Sequence, residues 1–99
     1  MIRHIVAWSF KDGFTENENL ENAAKVKSSL ERLKNIIPGI VELEVKIELL
    51  PESTKNIMLS GLFESQEALD NYQKHPEHLK AGSFIGSVCK DRICLDFEE

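Results

Sequence analysis

Residues 41–63, VELEVKIELLPESTKNIMLSGLF, decide how the rest of the chain is read. Val41, Leu43, Val45, Ile47 and Leu49 alternate with Glu42, Glu44, Lys46 and Glu48. Successive side chains of a strand point to opposite faces, so 41–50 is expected to be a strand with one core face and one polar face. Its charges suit an edge position, where they discourage pairing with other chains. PESTKN (51–56) has the composition of a turn. IMLSGLF (57–63) is apolar on both parities, the pattern of a central strand covered on both sides.

Upstream, TENENLENAAKVKSSLERLKNIIPG reads as a long amphipathic helix over about 16–37. Thr15 and Glu18 have the T-x-x-E spacing of a capping box. Leu20, Ala23, Ala24, Leu30, Leu33 and Ile37 are assigned to its apolar stripe, with Val26 and Ile36 at the edges, and Pro38-Gly39 stops it. Before it, IRHIVAWSF (2–10) is a β-branched and aromatic strand. Ile2, His4, Val6, Trp8 and Phe10 share one face; Ile5, Ala7 and Ser9 share the other with Arg3. Both faces are mainly apolar, so this strand too is expected to be central.

Downstream, Ser65 is placed to cap a second helix, SQEALDNYQK, on which Leu69 and Tyr72 face the same way. Pro76 interrupts it, pushes His75 out of the α region and is able to open a new helical turn. EHLKAGSFIGSV continues, helically or irregularly. RICLDFEE closes with Ile93, Leu95 and Phe97 alternating against Cys94 and Asp96, a final strand. The order β-α-β-β-α-β makes one α+β domain over residues 1–99, a ferredoxin-like plait with a four-stranded antiparallel sheet and both helices on one face. Strands one and three lie in the centre and two and four at the edges. The helices then leave Ile5, Ala7 and apolar residues of the third strand uncovered. Such a face marks an interface, and a second copy packed on it gives a homodimer.

Composition excludes several classes. A net charge of −5 with scattered basic residues leaves no footprint for nucleic acid and no basic stripe for an anionic membrane. No apolar run has the length of a membrane helix, and the N-terminus lacks the features of a signal peptide, so a cytosolic protein is expected. Cys89 and Cys94 fit no metal pattern. Their odd spacing on one strand would send them to opposite faces, so they are expected to be reduced and unbridged.

The segments IRHIVAWSFKDG, IIPGIVELEV, LFESQEALDNYQKHPEH and CLDFE, in that order over essentially the whole chain, resemble the stress-responsive A/B barrel (Dabb) family. The resemblance implies a dimeric α+β barrel. Members include plant stress proteins, bacterial proteins of unassigned activity and a plant polyketide cyclase. The cyclase-like members carry a tyrosine and a histidine at the positions of Tyr72 and His78 and a first-strand histidine matched by His4, and they need no metal or organic cofactor. The chemistry implied is an aldol-type ring closure. It suits a His–Tyr pair, since an imidazole is able to take an α-proton at neutral pH while a phenol hydrogen-bonds the enolate. This chain departs from the cyclase at Ile57, where the cyclase has a histidine, and near Val26 and Lys27, where it has a tyrosine, which argues for a different substrate.

Catalytic candidates are therefore His78, Tyr72 and His4, with Val6, Trp8, Leu59 and Phe63 as walls for a small apolar carbonyl ligand. Plainer readings stand beside these. His78 bonds a backbone carbonyl at the helix break; Tyr72 is a core residue whose hydroxyl finds a partner; His75 is an exposed loop or cap residue; His4 is a satisfied core histidine; Trp8, Phe10, Leu59 and Phe63 are core. A metal held by His4, His75 and His78 is disfavoured, because Pro76 breaks the helical H-x-x-H spacing and no cysteine or acidic residue other than Glu77 offers to complete a tetrahedron. Two function classes follow: a cofactor-independent acid–base enzyme (cyclase, lyase or isomerase) on a small carbonyl compound, or a non-catalytic, stress-related ligand-binding or assembly protein.

Overall fold

Thr15 caps the first helix as its spacing predicts: its hydroxyl accepts from the Glu18 N–H at 3.1 Å, and the Glu18 carboxylate accepts from the Thr15 N–H at 2.9 Å. In the computed structural model, which describes residues 1–99, the elements are β1 (Ile2–Phe10), α1 (Glu16–Glu31) with a 3₁₀ turn at Arg32–Asn35, β2 (Ile40–Lys46), β3 (Ile57–Phe63), α2 (Gln66–Lys74), α3 (Pro76–Val88) and β4 (Cys89–Glu98). The antiparallel sheet has the order β2-β3-β1-β4, so the two doubly apolar strands are central and the charged alternating strand is an edge. The helices lie on the face that bears Ile2, His4, Val6, Trp8, Leu43, Val45, Ile57, Leu59 and Phe63, and these side chains form the core with Ala23, Val26, Leu30, Leu33, Leu69 and Tyr72.

Three details differ from the sequence reading. The first helix tightens into 3₁₀ geometry after Glu31 instead of continuing to 37, and its buried stripe is Ala23, Val26, Leu30, Leu33 and Ile37. Val26 lies at the centre of that stripe, fully buried, whereas Leu20 and Ala24 are exposed. Spacings of three and four from Ala23 onward fix the centre, and Leu20 and Ala24 fall outside it. Strand β2 stops at Lys46, because its partner β3 begins at Ile57 and residues beyond position 47 have nothing to pair with. After Pro76 the choice left open between helical and irregular resolves to helix, α3 running to Val88 with Pro76 at its first position, where a missing N–H costs nothing.

Strand β4 carries the third difference. Ala7 pairs with Ile93 but Ser9 with Lys90, so Asp91 and Arg92 together oppose Trp8. This is a bulge, and Asp91 adopts the left-handed conformation (φ 54°) that aspartate tolerates better than most residues. The extra residue moves Cys89 opposite Phe10 while Cys94 stays opposite Val6. Both cysteines therefore sit on the helix-facing side, contrary to the odd-spacing argument. They remain unbridged thiols because four residues of β1, about 13 Å, separate their partners.

On the opposite sheet face, Ile93, Leu95 and Phe97 align with Ala7, Ile5 and Arg3 and are 46%, 60% and 49% exposed. No helix is long and apolar enough to cross a membrane.

Candidate functional site

Between the helices and the sheet lies a cavity of about 170 Å³. Its sheet side is His4, Val6 and Trp8 of β1 with Leu59 of β3. Its helix side is Leu30 of α1, Tyr72 of α2, and His78, Gly82, Ile85 and Gly86 of α3. Arg92 of β4 completes the wall.

The break at Pro76 builds the polar end. Helix α2 starts at Ser65, whose hydroxyl accepts from the Ala68 N–H at 3.1 Å, and it carries Leu69 and Tyr72 inward, three residues apart. His75 ends α2 and caps α3, its Nδ1 accepting from the Glu77 N–H at 3.1 Å, so it is a partly buried cap whose Nδ1 is already engaged. Pro76 then redirects the chain so that His78, in the first turn of α3, returns to Tyr72 with ring centroids 4.4 Å apart. Nδ1 of His78 is buried with no hydrogen-bond partner. Burial lowers the His78 pKa from its ordinary value, and the Gln73 backbone opposes this in part. Burial pushes the Tyr72 phenol well above its ordinary value; only the charge of Arg92 pulls the other way. Tyr72 is thus held as a neutral donor and His78 as a neutral acceptor, a division of roles set by one desolvated environment.

His4 stands behind this pair. It is 2% exposed, and its ring lies 6.3 Å from that of Tyr72. Its Nδ1 and Asp96 Oδ1 are 2.5 Å apart, which fixes the ring orientation and leaves Nε2 as the nitrogen free for a ligand. Phe63 is fully buried but is not in the cavity wall. It packs edge-on against His4 at 6.1 Å and, tilted, against Tyr72 at 4.9 Å. Its ring leans across Gly61, occupying space that a Cβ there would contest at 2.8 Å. Phe63 therefore supports the two polar rings from behind.

Asp96, Cys94 and Arg92 are functional candidates that the sequence reading did not single out. Asp96 pairs with His4 only through the β1–β4 register, and that register depends on the bulge. His4 Nδ1, Cys94 Sγ and an Asp96 oxygen lie within 4.8 Å of one another, a donor set of the kind that binds a borderline-soft divalent ion. The geometry here is that of a hydrogen-bonded pair instead. Donors of a tetrahedral site with roughly 2 Å bonds stand about 3.3 Å apart, and the His4 and Asp96 atoms are closer than that. Burial and the neighbouring Asp96 carboxylate raise the Cys94 pKa, so this thiol is not a poised nucleophile.

Residues 2–99 match the family model of the stress responsive A/B barrel domain (Dabb). The stress-response A/B barrel domain-containing protein HS1 of Arabidopsis thaliana is 33% identical over 93 residues, which span 90% of this chain and 82% of that protein. A dimeric protein of unknown function and ferredoxin-like fold from Bacteroides fragilis superposes with a TM-score of 0.92 at 31% identity, covering 99% of this chain and 95% of that one. The hydroxynitrile lyase of Passiflora edulis shares the fold with a TM-score of 0.74 at 19% identity, covering 97% of this chain and 90% of that one. With the plait, the strand order and a match over nearly its whole length, the chain belongs to the stress responsive A/B barrel domain family.

Proposed function

We propose that the protein is a homodimeric acid–base enzyme acting on a small carbonyl compound, with His78 as base and Tyr72 as the donor to the developing enolate. The pairing of the Tyr72 and His78 rings at 4.4 Å over an otherwise largely apolar cavity carries this reading. The neutral imidazole takes a proton from the carbon next to the carbonyl. The electron pair of that C–H bond moves onto the carbonyl oxygen, and the Tyr72 hydroxyl hydrogen-bonds the oxygen as it gains charge. His4, oriented by Asp96, offers Nε2 as a second polar contact. Return of the proton to another atom or to the opposite face gives an isomerase; departure of a leaving group with its bonding pair from the neighbouring carbon gives a lyase; attack of the enolate carbon on a second carbonyl, whose oxygen then takes the proton from His78, gives a cyclase. The same fold hosts a hydroxynitrile lyase in Passiflora edulis, so lyase chemistry is compatible with it.

The dimer is assigned to the outer face of Ile93, Leu95 and Phe97, whose exposure is otherwise unexplained, and several proteins of the same fold are dimeric. The decisive assay is exchange of the α-protons of phenylacetone for deuterium in D₂O, followed by NMR. Catalysed exchange that His78→Ala abolishes and Tyr72→Phe reduces supports the acid–base reading. Exchange at the buffer rate, or exchange indifferent to both substitutions, rejects it in favour of a non-catalytic ligand-binding role.

A further inference from the structure

The cavity wall contains one cation and no carboxylate. That cation is Arg92, and it differs from the other arginines of the chain. Arg3 is bound to Glu99 at 2.7 Å and Arg32 to Glu77 at 3.2 Å, whereas Arg92 takes part in no ion pair. The acidic residue nearest along its own strand face, Asp96, is engaged by His4. The bulge opposite Trp8 places Arg92 where the cavity meets β4, on the same side as Cys94 and Asp96. Arg92 is exposed at the rim of the apolar cavity beside the Cys94 thiol, and an anion arriving there meets a guanidinium that no carboxylate occupies.

We propose that the cavity binds a small monocarboxylate with one ring-sized or branched apolar body, its carboxylate held by Arg92 and its body against Val6, Trp8, Leu59 and Ile85. This rests on the acid–base reading for its consequence: the substrate class becomes an aryl- or branched-alkyl oxo acid. The guanidinium fork matches a carboxylate with two parallel hydrogen bonds, which a neutral carbonyl compound cannot use as well. The size follows from the cavity. A dry cavity of roughly 150 Å³ accommodates benzene, and this one is about 170 Å³. The positive charge of Arg92 also reaches both polar rings, acting to lower the pKa of Tyr72 and of His78, so it is close enough to favour negative charge forming between them.

Trp8 is the chain's single tryptophan and lines the cavity, so its fluorescence reports occupancy. The test titrates the intact protein with phenylacetate and with its neutral isostere phenylacetamide. Phenylacetate is expected to bind about tenfold more tightly or better, the increment of a charge-assisted hydrogen bond. Arg92→Gln should remove the preference and Arg92→Lys should keep most of it. Equal affinities, a preference that survives Arg92→Gln, or no Trp8 response to either probe at millimolar concentration overturns the proposal. Failure here with phenylacetone exchange intact removes only the substrate class. Arg92-dependent binding without exchange removes the acid–base reading and leaves an anion-binding protein.

Discussion

The rings of Tyr72 and His78 stand 4.4 Å apart although Pro76 separates them in the chain. An uninterrupted helix would place residues six apart on different faces; the break lets α2 and α3 each deliver one ring to the same cavity. His78 gains no hydrogen bond at Nδ1 from being there. A buried, unpartnered polar atom costs about 1–3 kcal/mol. His78→Leu is therefore expected to leave the folding free energy from urea denaturation unchanged or to raise it, while abolishing α-proton exchange. A loss above about 2 kcal/mol would show that His78 is a structural residue.

The same burial sets a pH dependence. His78 works as a base only when neutral, and burial lowers its pKa from 6.5. The exchange rate should fall as pH drops through that lowered value, so the acidic limb has its midpoint below 6.5. Because burial raises the Tyr72 pKa, no loss from phenol ionisation is expected at mildly alkaline pH. A midpoint above 6.5 in a pH–rate profile contradicts the assigned base.

Much of this arrangement was legible in the chain. The alternation of 41–49, the apolar parity of 57–63 and the Thr15–Glu18 spacing are local signals, and each reports its own element. Tyr72 and His78 stand out as rare polar rings in one short segment, and the family resemblance adds His4 and the roles of all three. Asp96 and Arg92 do not stand out, because their meaning depends on the register of β4 against β1 and on a one-residue bulge at Asp91, and neither leaves a periodic trace. Phe63 is apolar and therefore equally suited to core or cavity wall; the absent Cβ of Gly61, which lets its ring slide behind the wall, is a tertiary consequence.

Gly82 and Gly86 present a second test of the cavity. They are one turn apart on α3, both line the cavity, and a Cβ on either would meet nothing within 4 Å. Glycine inside a helix costs about 1 kcal/mol relative to alanine. Gly82→Ala and Gly86→Ala should each raise stability by about that amount while weakening phenylacetate binding, because the new methyl enters the ligand's space. A stability gain with unchanged affinity would place the ligand away from α3.

The outer face predicts the assembly. Leu95 is 60% exposed between Ile93 and Phe97 on that side of β4 and pairs with Ile5 of the central strand. In native mass spectrometry the wild-type protein should appear as two chains. Leu95→Glu should give one folded chain, since a buried unpaired carboxylate would be repeated across the two-fold axis. A wild-type monomer, or a dimer that tolerates Leu95→Glu, would move the interface elsewhere.

Glu31 and Lys27 close the opposite edge of the sheet. Glu31 accepts the Val45 N–H at 2.9 Å and the Lys27 ammonium at 2.8 Å, and Lys27 also donates to the Val45 carbonyl at 2.6 Å. Side chains of α1 thus occupy both backbone groups that Val45 offers at the edge, which protects β2 from adding another strand. Burial alone would raise the Glu31 pKa, but the hydrogen bonds from Lys27 and the Val45 N–H outweigh it, so the folded-state value lies below the ordinary one. The sign follows: the carboxylate stabilises the fold above the ordinary carboxylate pKa, and this contribution fades as pH falls through the lower folded value. Glu31→Gln keeps an acceptor for Val45 but loses the charge. Its deficit should be about 1 kcal/mol at neutral pH and should shrink in urea melts as pH falls below the ordinary carboxylate range. A deficit equally large at pH 3 would mean that the amide's shape, not the charge, is what α1 fails to accommodate.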